Sequence, residues 1–168
     1  MRRLTPRPLD AQAFAPFGQV IEEQARDGFA VNGGTSLRLD DLARIDPGPL
    51  GRALFNFFVC RQTVSLPHRP DILECHPLGS QAFLPRGHAQ FLVLVAPPGP
   101  EPDLDRLECF LSDGRQGVNY APGTWHLPLS SLSAETFVVI DRGGPGENCR
   151  VVSVSGAIEI GEPANPTG

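Results

Sequence analysis

The chain has no lysine: all 14 of its basic residues are Arg. That absence excludes a Schiff base or a P-loop supplied by this chain, since both need a lysine amine. A carboxylate-bearing ligand would be held by Arg, by a metal or by backbone N–H groups, and Arg suits the task through two-pronged pairing. There is no C-x-x-C pair either. Cys60, Cys75, Cys109 and Cys149 are scattered, which reads as free thiols rather than a zinc knuckle or redox couple. No stretch approaches the roughly 20 apolar residues of a membrane span, and the start "MRRLTPRPLDAQAFAPFG" lacks the apolar run of a signal peptide. Basic character is also missing: the formal net charge is −5, whereas a nucleic-acid partner asks for a basic face. These absences predict a cytoplasmic, reduced protein with neither a membrane nor a nucleic-acid partner.

What is abundant is turn chemistry, with 18 Gly and 18 Pro among 168 residues. The length fits one domain with its own core, expected over 1–160 with a flexible tail, 161–168. Short runs rich in Val, Phe and Leu ("ALFNFFVC", "QAFLP", "AQFLVLVAPP", "LECFLSDG", "QGVNYAPG", "TFVVIDRG", "CRVVSVS") are separated by Gly, Pro, Asp and Asn. Short strands at this spacing, without helical runs between them, predict an all-β sandwich or barrel. Helix is expected only in the N-terminal part: Asp10 to Phe17, capped by Asp10 and stopped by Gly18, and a short piece around "LDDLARI". The proline-rich segment 96–108 cannot pair centrally and is expected to join two halves of the β domain.

The informative polar residues are those inside strand-like runs, because small barrels bind ligands where inward-facing polar side chains converge. In "ECHPLGSQAF" Glu74 and His76 are two apart and share a face of an extended chain. Gln81, Asn119, Tyr120 and His126 join them from neighbouring runs. His68 and His88 read as loop residues, and Glu135 and Asp141 as strand-end surface charges. "LGSQA" is not the G-x-S-x-G elbow, so Ser80 is no hydrolase nucleophile.

Glu74-x-His76-x4-Gln81 with a later Gly87, and Gly123-x-x-His126, resemble the two motifs of cupin barrels, with Glu in place of the first His and Gln in place of the Glu. The resemblance implies an RmlC-like antiparallel barrel or jelly roll. The set reads either as a site for a divalent ion, Gln81 being its weakest donor, or as a metal-free cavity that binds substrate by hydrogen bonds.

Longer strings resemble a particular family. "AFAPFGQVIE", "NGG" with a later Arg, "ECHPLGSQAFLP", "FLVLVA", "QGVNYAPGTWHLPL" and "VVIDRGG" with "NC" are similar, in order, to bacterial ureidoglycolate lyases. The resemblance implies a homodimeric lyase that cleaves (S)-ureidoglycolate to glyoxylate and urea in allantoin and purine breakdown, with nickel or another divalent ion associated with the family. It implies catalytic roles for Glu74, His76, Tyr120 and His126, and substrate contacts from Asn32, Arg38, Gln81 and Asn119. One departure stands out. The family usually has two histidines after the tryptophan, and this chain has Leu127 in the second place. That departure favours one alternative, a divergent cupin enzyme acting on another small hydroxy or keto acid; a non-catalytic small-acid-binding cupin is the other. By alternation, position 127 faces away from His126 and Cys75 away from Glu74.

Overall fold

A computed structural model describes residues 1–164. The last four residues of the expected tail lie outside the described residues, and residues 161–164 form no helix or strand.

Two sheets carry the fold. One has the order Arg150–Ser153, Ile72–Cys75, Trp125–His126, Phe91–Ala96, Glu108–Leu111, Arg7–Pro8, with Ser130–Ser131 also pairing with Phe91–Ala96. The other has the order Gly18–Ile21, Gly117–Tyr120, Gln81–Pro85, Glu135–Gly143, Arg52–Cys60. Pairing within them is antiparallel except where Glu108–Leu111 meets Arg7–Pro8. The all-β, cupin-like barrel expected from the sequence is thus present.

Side-chain alternation sorts the core. Phe91, Val93 and Val95 of one sheet and Phe83, Val118, Phe137 and Val139 of the other meet in a cluster between the sheets, plugged by Phe14 and Phe17. The alternate residues Leu92, Leu94 and Ala96 point outward into a second cluster with Leu73, Trp125, Ile158 and Ile160. Phe91–Ala96 is buried on both faces for this reason. That is why it reads as an unbroken apolar run rather than an alternating one.

Two helical expectations change. Asp10 caps the first helix through its carboxylate, which accepts the Ala13 N–H at 2.8 Å, but the helix is only Ala11–Phe14. Pro16 has no N–H to offer the Gln12 carbonyl, which takes the Ala15 N–H instead. The piece around "LDDLARI" is not a helix at all. Asp41 has a left-handed φ of 54°, and Leu39, Leu42, Ala43 and Ile45 line a shared cleft with Ile21, Ala82, Leu84, Val138 and Ile140 of the second sheet. Covering that apolar face outweighs the segment's modest helical propensity. The segment 96–108 bridges the paired strands Phe91–Ala96 and Glu108–Leu111 within one sheet, and the Trp125 indole N–H donates to its Gly99 carbonyl at 3.1 Å.

Candidate active site

The two inner faces bring two polar rows together at one end of the barrel. Glu74 and His126 are direct cross-strand partners on the first sheet. On the second, Tyr120 is paired with Gln81. The Glu74 carboxylate lies 3.4 Å from His126 Nε2 and 3.9 Å from His76 Nε2, and one ligand atom from each of the three lies within 4.8 Å of the others. The Gln81 Oε1 is 3.2 Å from His126 Nε2, and the Tyr120 ring stacks on the His126 imidazole with centroids 4.2 Å apart.

Backbone carbonyls fix both imidazoles. His76 Nδ1 lies 2.7 Å from the Asn148 carbonyl and His126 Nδ1 3.0 Å from that of Thr124. A carbonyl only accepts, so each Nδ1 carries a proton and each ring turns its Nε2 to the cavity. His76 Nε2 is buried there with no hydrogen-bond partner. The Glu74 carboxylate, the Gln81 carbonyl and His76 Nε2 therefore gather as acceptors about His126 Nε2. Such a set calls for a cation or a proton, and one carboxylate, two imidazoles and an amide oxygen suit a divalent ion.

The charges agree with that arrangement. Burial pushes the Glu74 carboxyl up, but its hydrogen bond to His126 and the charges of His126 and His76 outweigh this and hold it below the usual range. Burial holds His76 below the ordinary histidine value, against the opposing pull of the Asn148 carbonyl. Burial, with Glu74 nearby, pushes the Tyr120 phenol far up, so it stays protonated. At neutral pH the site holds an ionised carboxylate, a neutral His76 and a phenol O–H. A cavity of about 430 Å³ opens beside Glu74, walled by Phe58, Val59, Cys60, Phe83, Pro128 and Leu129.

Of the residues singled out from sequence, Glu74, His76, Gln81, Tyr120 and His126 come together. Asn119 does not: it alternates with Tyr120 and faces the other side of its sheet, where Nδ2 donates to the Gln19 side chain and the Arg44 carbonyl. Asn32 and Arg38 sit on an exposed ribbon, Phe29–Val31 with Ser36–Arg38. There Arg38 pairs with Asp40 at 3.7 Å and lies over the Phe29 ring. Among the described residues neither bonds to Glu74, His76 or His126. Leu127 is buried in the outer cluster with Trp125, and Cys75 lies there too, both facing away from the site as alternation requires.

Asp141 and its partner Asn56 escaped the sequence reading. Asp141, read as a surface charge, is half-buried and accepts from Asn56 Nδ2 at 3.0 Å; its charge acts on His76, and Gln81 is a further hydrogen-bonding neighbour. The signal was present: counting by twos from the core residues Phe137 and Val139 puts Asp141 inside.

A family model described as ureidoglycolate lyase matches residues 1–161. A ureidoglycolate lyase of Azotobacter vinelandii is 48% identical over 151 residues, 89% of this chain and 90% of that protein. Another, from Burkholderia mallei (strain NCTC 10229), is 47% identical over 150 residues, covering 88% and 87%. A solved dTDP sugar isomerase from Desulfovibrio desulfuricans G20 matches with a TM-score of 0.44 and 18% identity, over 82% of this chain and 85% of that one. Among the described residues, no helix is long and apolar enough to cross a membrane.

Proposed function

The chain belongs to the ureidoglycolate lyase family, and we propose that it cleaves (S)-ureidoglycolate to glyoxylate and urea as a cytoplasmic homodimer. The observation that carries this reading is the convergence of Glu74, His76, His126 and Gln81 beside one open cavity.

Ureidoglycolate has one carbon bearing a hydroxyl, a carboxylate and a ureido nitrogen. When the hydroxyl loses its proton, the oxygen's electrons form the aldehyde C=O, the C–N pair leaves on nitrogen, and that nitrogen takes up a proton to give urea. One acceptor and one donor within reach of the same carbon suffice. His76, with its Nε2 unpartnered, accepts the hydroxyl proton. Glu74 orders a proton on His126 Nε2, from which it reaches the leaving nitrogen, and the stacked Tyr120 ring holds the imidazole plane. A divalent ion, nickel or another, fits the same set; Glu74, His76 and His126 would hold it with Gln81, and when bound it supplies a Lewis-acid grip on substrate oxygens. The Leu127 departure does not favour a different substrate, because that side chain packs outside the barrel.

The homodimer is supported by the outer face of the strand Arg52–Cys60, where Phe55, Phe57 and Val59 are 67%, 57% and 59% exposed. An apolar patch of that kind calls for a partner, and light scattering is expected to give twice the monomer mass.

The decisive experiment follows glyoxylate, urea and ammonia separately from freshly made racemic ureidoglycolate, with and without chelator and added divalent metal. Glyoxylate with urea and no ammonia is expected. Ammonia in place of urea, or no turnover under any condition, would overturn the reading. Chelator sensitivity separates a set that holds an ion from one that moves protons.

A further inference from the structure

Asp141 is a charged group on the inner surface that the proton chemistry leaves without a task. Its strand, Glu135–Gly143, sends Phe137 and Val139 into the core between the sheets, and Asp141 follows two residues on, facing the same way. Asn56 reaches it from the adjoining strand, alternating with the outward Phe55 and Phe57 and donating to Oδ1 at 3.0 Å. Among the described residues no Arg or His forms an ion pair with Asp141, although ion pairs occur elsewhere on the molecule. A half-buried carboxylate braced only by neutral amides is costly to keep without a ligand.

We propose that Asp141, braced by Asn56, binds the ureido group of the substrate and so sets its direction beside His76; this deepens the lyase reading and rests on it. A ureido group is planar and presents several N–H donors, for which a carboxylate is the matching planar acceptor. Asp141 repels the substrate's own carboxylate, so that end of the molecule turns away from it. The two ends of a small, nearly symmetric molecule are thereby told apart by charge. The reacting carbon then falls between the ends, where His76 and His126 stand 5.3 Å apart by ring centroid.

The test is inhibition of glyoxylate release by four probes: urea, guanidinium, tetramethylurea and glyoxylate. Guanidinium has the shape of urea with a positive charge, so the wild type is expected to prefer it to urea by about tenfold, and tetramethylurea, with no N–H, is expected not to compete. Asp141→Asn keeps an acceptor for Asn56 but loses the charge. It is expected to abolish the guanidinium preference and weaken urea by about tenfold while leaving the glyoxylate constant unchanged. Equal shifts for urea and glyoxylate, or a wild type that prefers urea, would overturn the assignment. Should Asp141→Asn fail to fold, Asn56→Ala, which removes only the brace, is expected to weaken urea and guanidinium several-fold without moving the glyoxylate constant, and an unchanged urea constant would overturn the assignment. A wild type that releases no glyoxylate at all sinks the proposed reaction, whereas turnover with unsplit inhibition sinks only the role of Asp141.

Discussion

The two faces of the first sheet do opposite things with neighbouring residues. Leu73, Cys75, Trp125 and Leu127 point outward into an apolar cluster closed by Ile158 and Ile160, while Glu74 and His126, one position along, point inward as a polar pair. One-residue parity therefore divides stability from chemistry. The outward side chains stabilise the fold by leaving water; the inward ones cost stability, because polar groups are held out of water. The largest effects should split along that line. Glu74→Ala or His126→Ala is expected to lower kcat by about 100- to 10,000-fold with a cooperative unfolding transition retained. Trp125→Ala is expected to lose about 3–5 kcal/mol of stability while the folded fraction keeps near wild-type kcat. Thermal melts beside active-site-normalised rates check both. If Trp125→Ala slowed the folded enzyme as much as His126→Ala does, the division would be wrong.

Leu127 sharpens the comparison, since sequence likeness would have it restored to His. Its place in the outer cluster predicts that Leu127→His gains no activity. It buries a polar ring among Leu and Ile side chains and is expected to cost about 1–3 kcal/mol, read as a lowered denaturation midpoint. A several-fold rise in kcat would mean that position 127 reaches the chemistry after all.

How much of this was legible follows the same parity. Glu74, His76 and Gln81 could be grouped from the sequence because their spacing and Gly87 fall in one short stretch, and His126 because Gly123 marks the turn before it. The outward placement of Cys75 and Leu127 needed only alternation. Asn119 and Tyr120 were taken together although adjacent strand residues face opposite ways, and only Tyr120 stacks on His126. Asp141 was missed because a charge near the end of a run reads as a surface residue, although the alternation of Phe137 and Val139 carries it inside. The segment from Leu39 to Ile45 misled for another reason. Its apolar spacing is satisfied by a sheet surface, and local pattern cannot distinguish a helix's own stripe from side chains laid across another element.

The smallest effect concerns pH, and it separates the faces by slope rather than size. His76 has its pKa lowered, first by burial, so the unfolded chain binds that proton more readily than the folded one. Its contribution to stability is present above the ordinary value of 6.5 and is lost as pH falls toward the lower folded value. Glu74, also lowered, adds a loss of the same sign that begins only as pH falls below about 4.5. Asp141 has its pKa raised, first by burial; its contribution is full below 3.8 and lost as pH rises through the raised value. Between pH 7 and 5, then, His76 should supply a decline in melting temperature toward acid that His76→Gln flattens, with chelator present so that no ion competes for the ring. Leu73→Ala, on the outer face, removes apolar packing and no titrating group, so it should lower the whole curve in parallel and leave its slope alone. A His76→Gln curve that merely shifted, or a Leu73→Ala curve that changed slope, would show that the two faces are coupled, and that parity alone does not decide which residues carry charge for the fold.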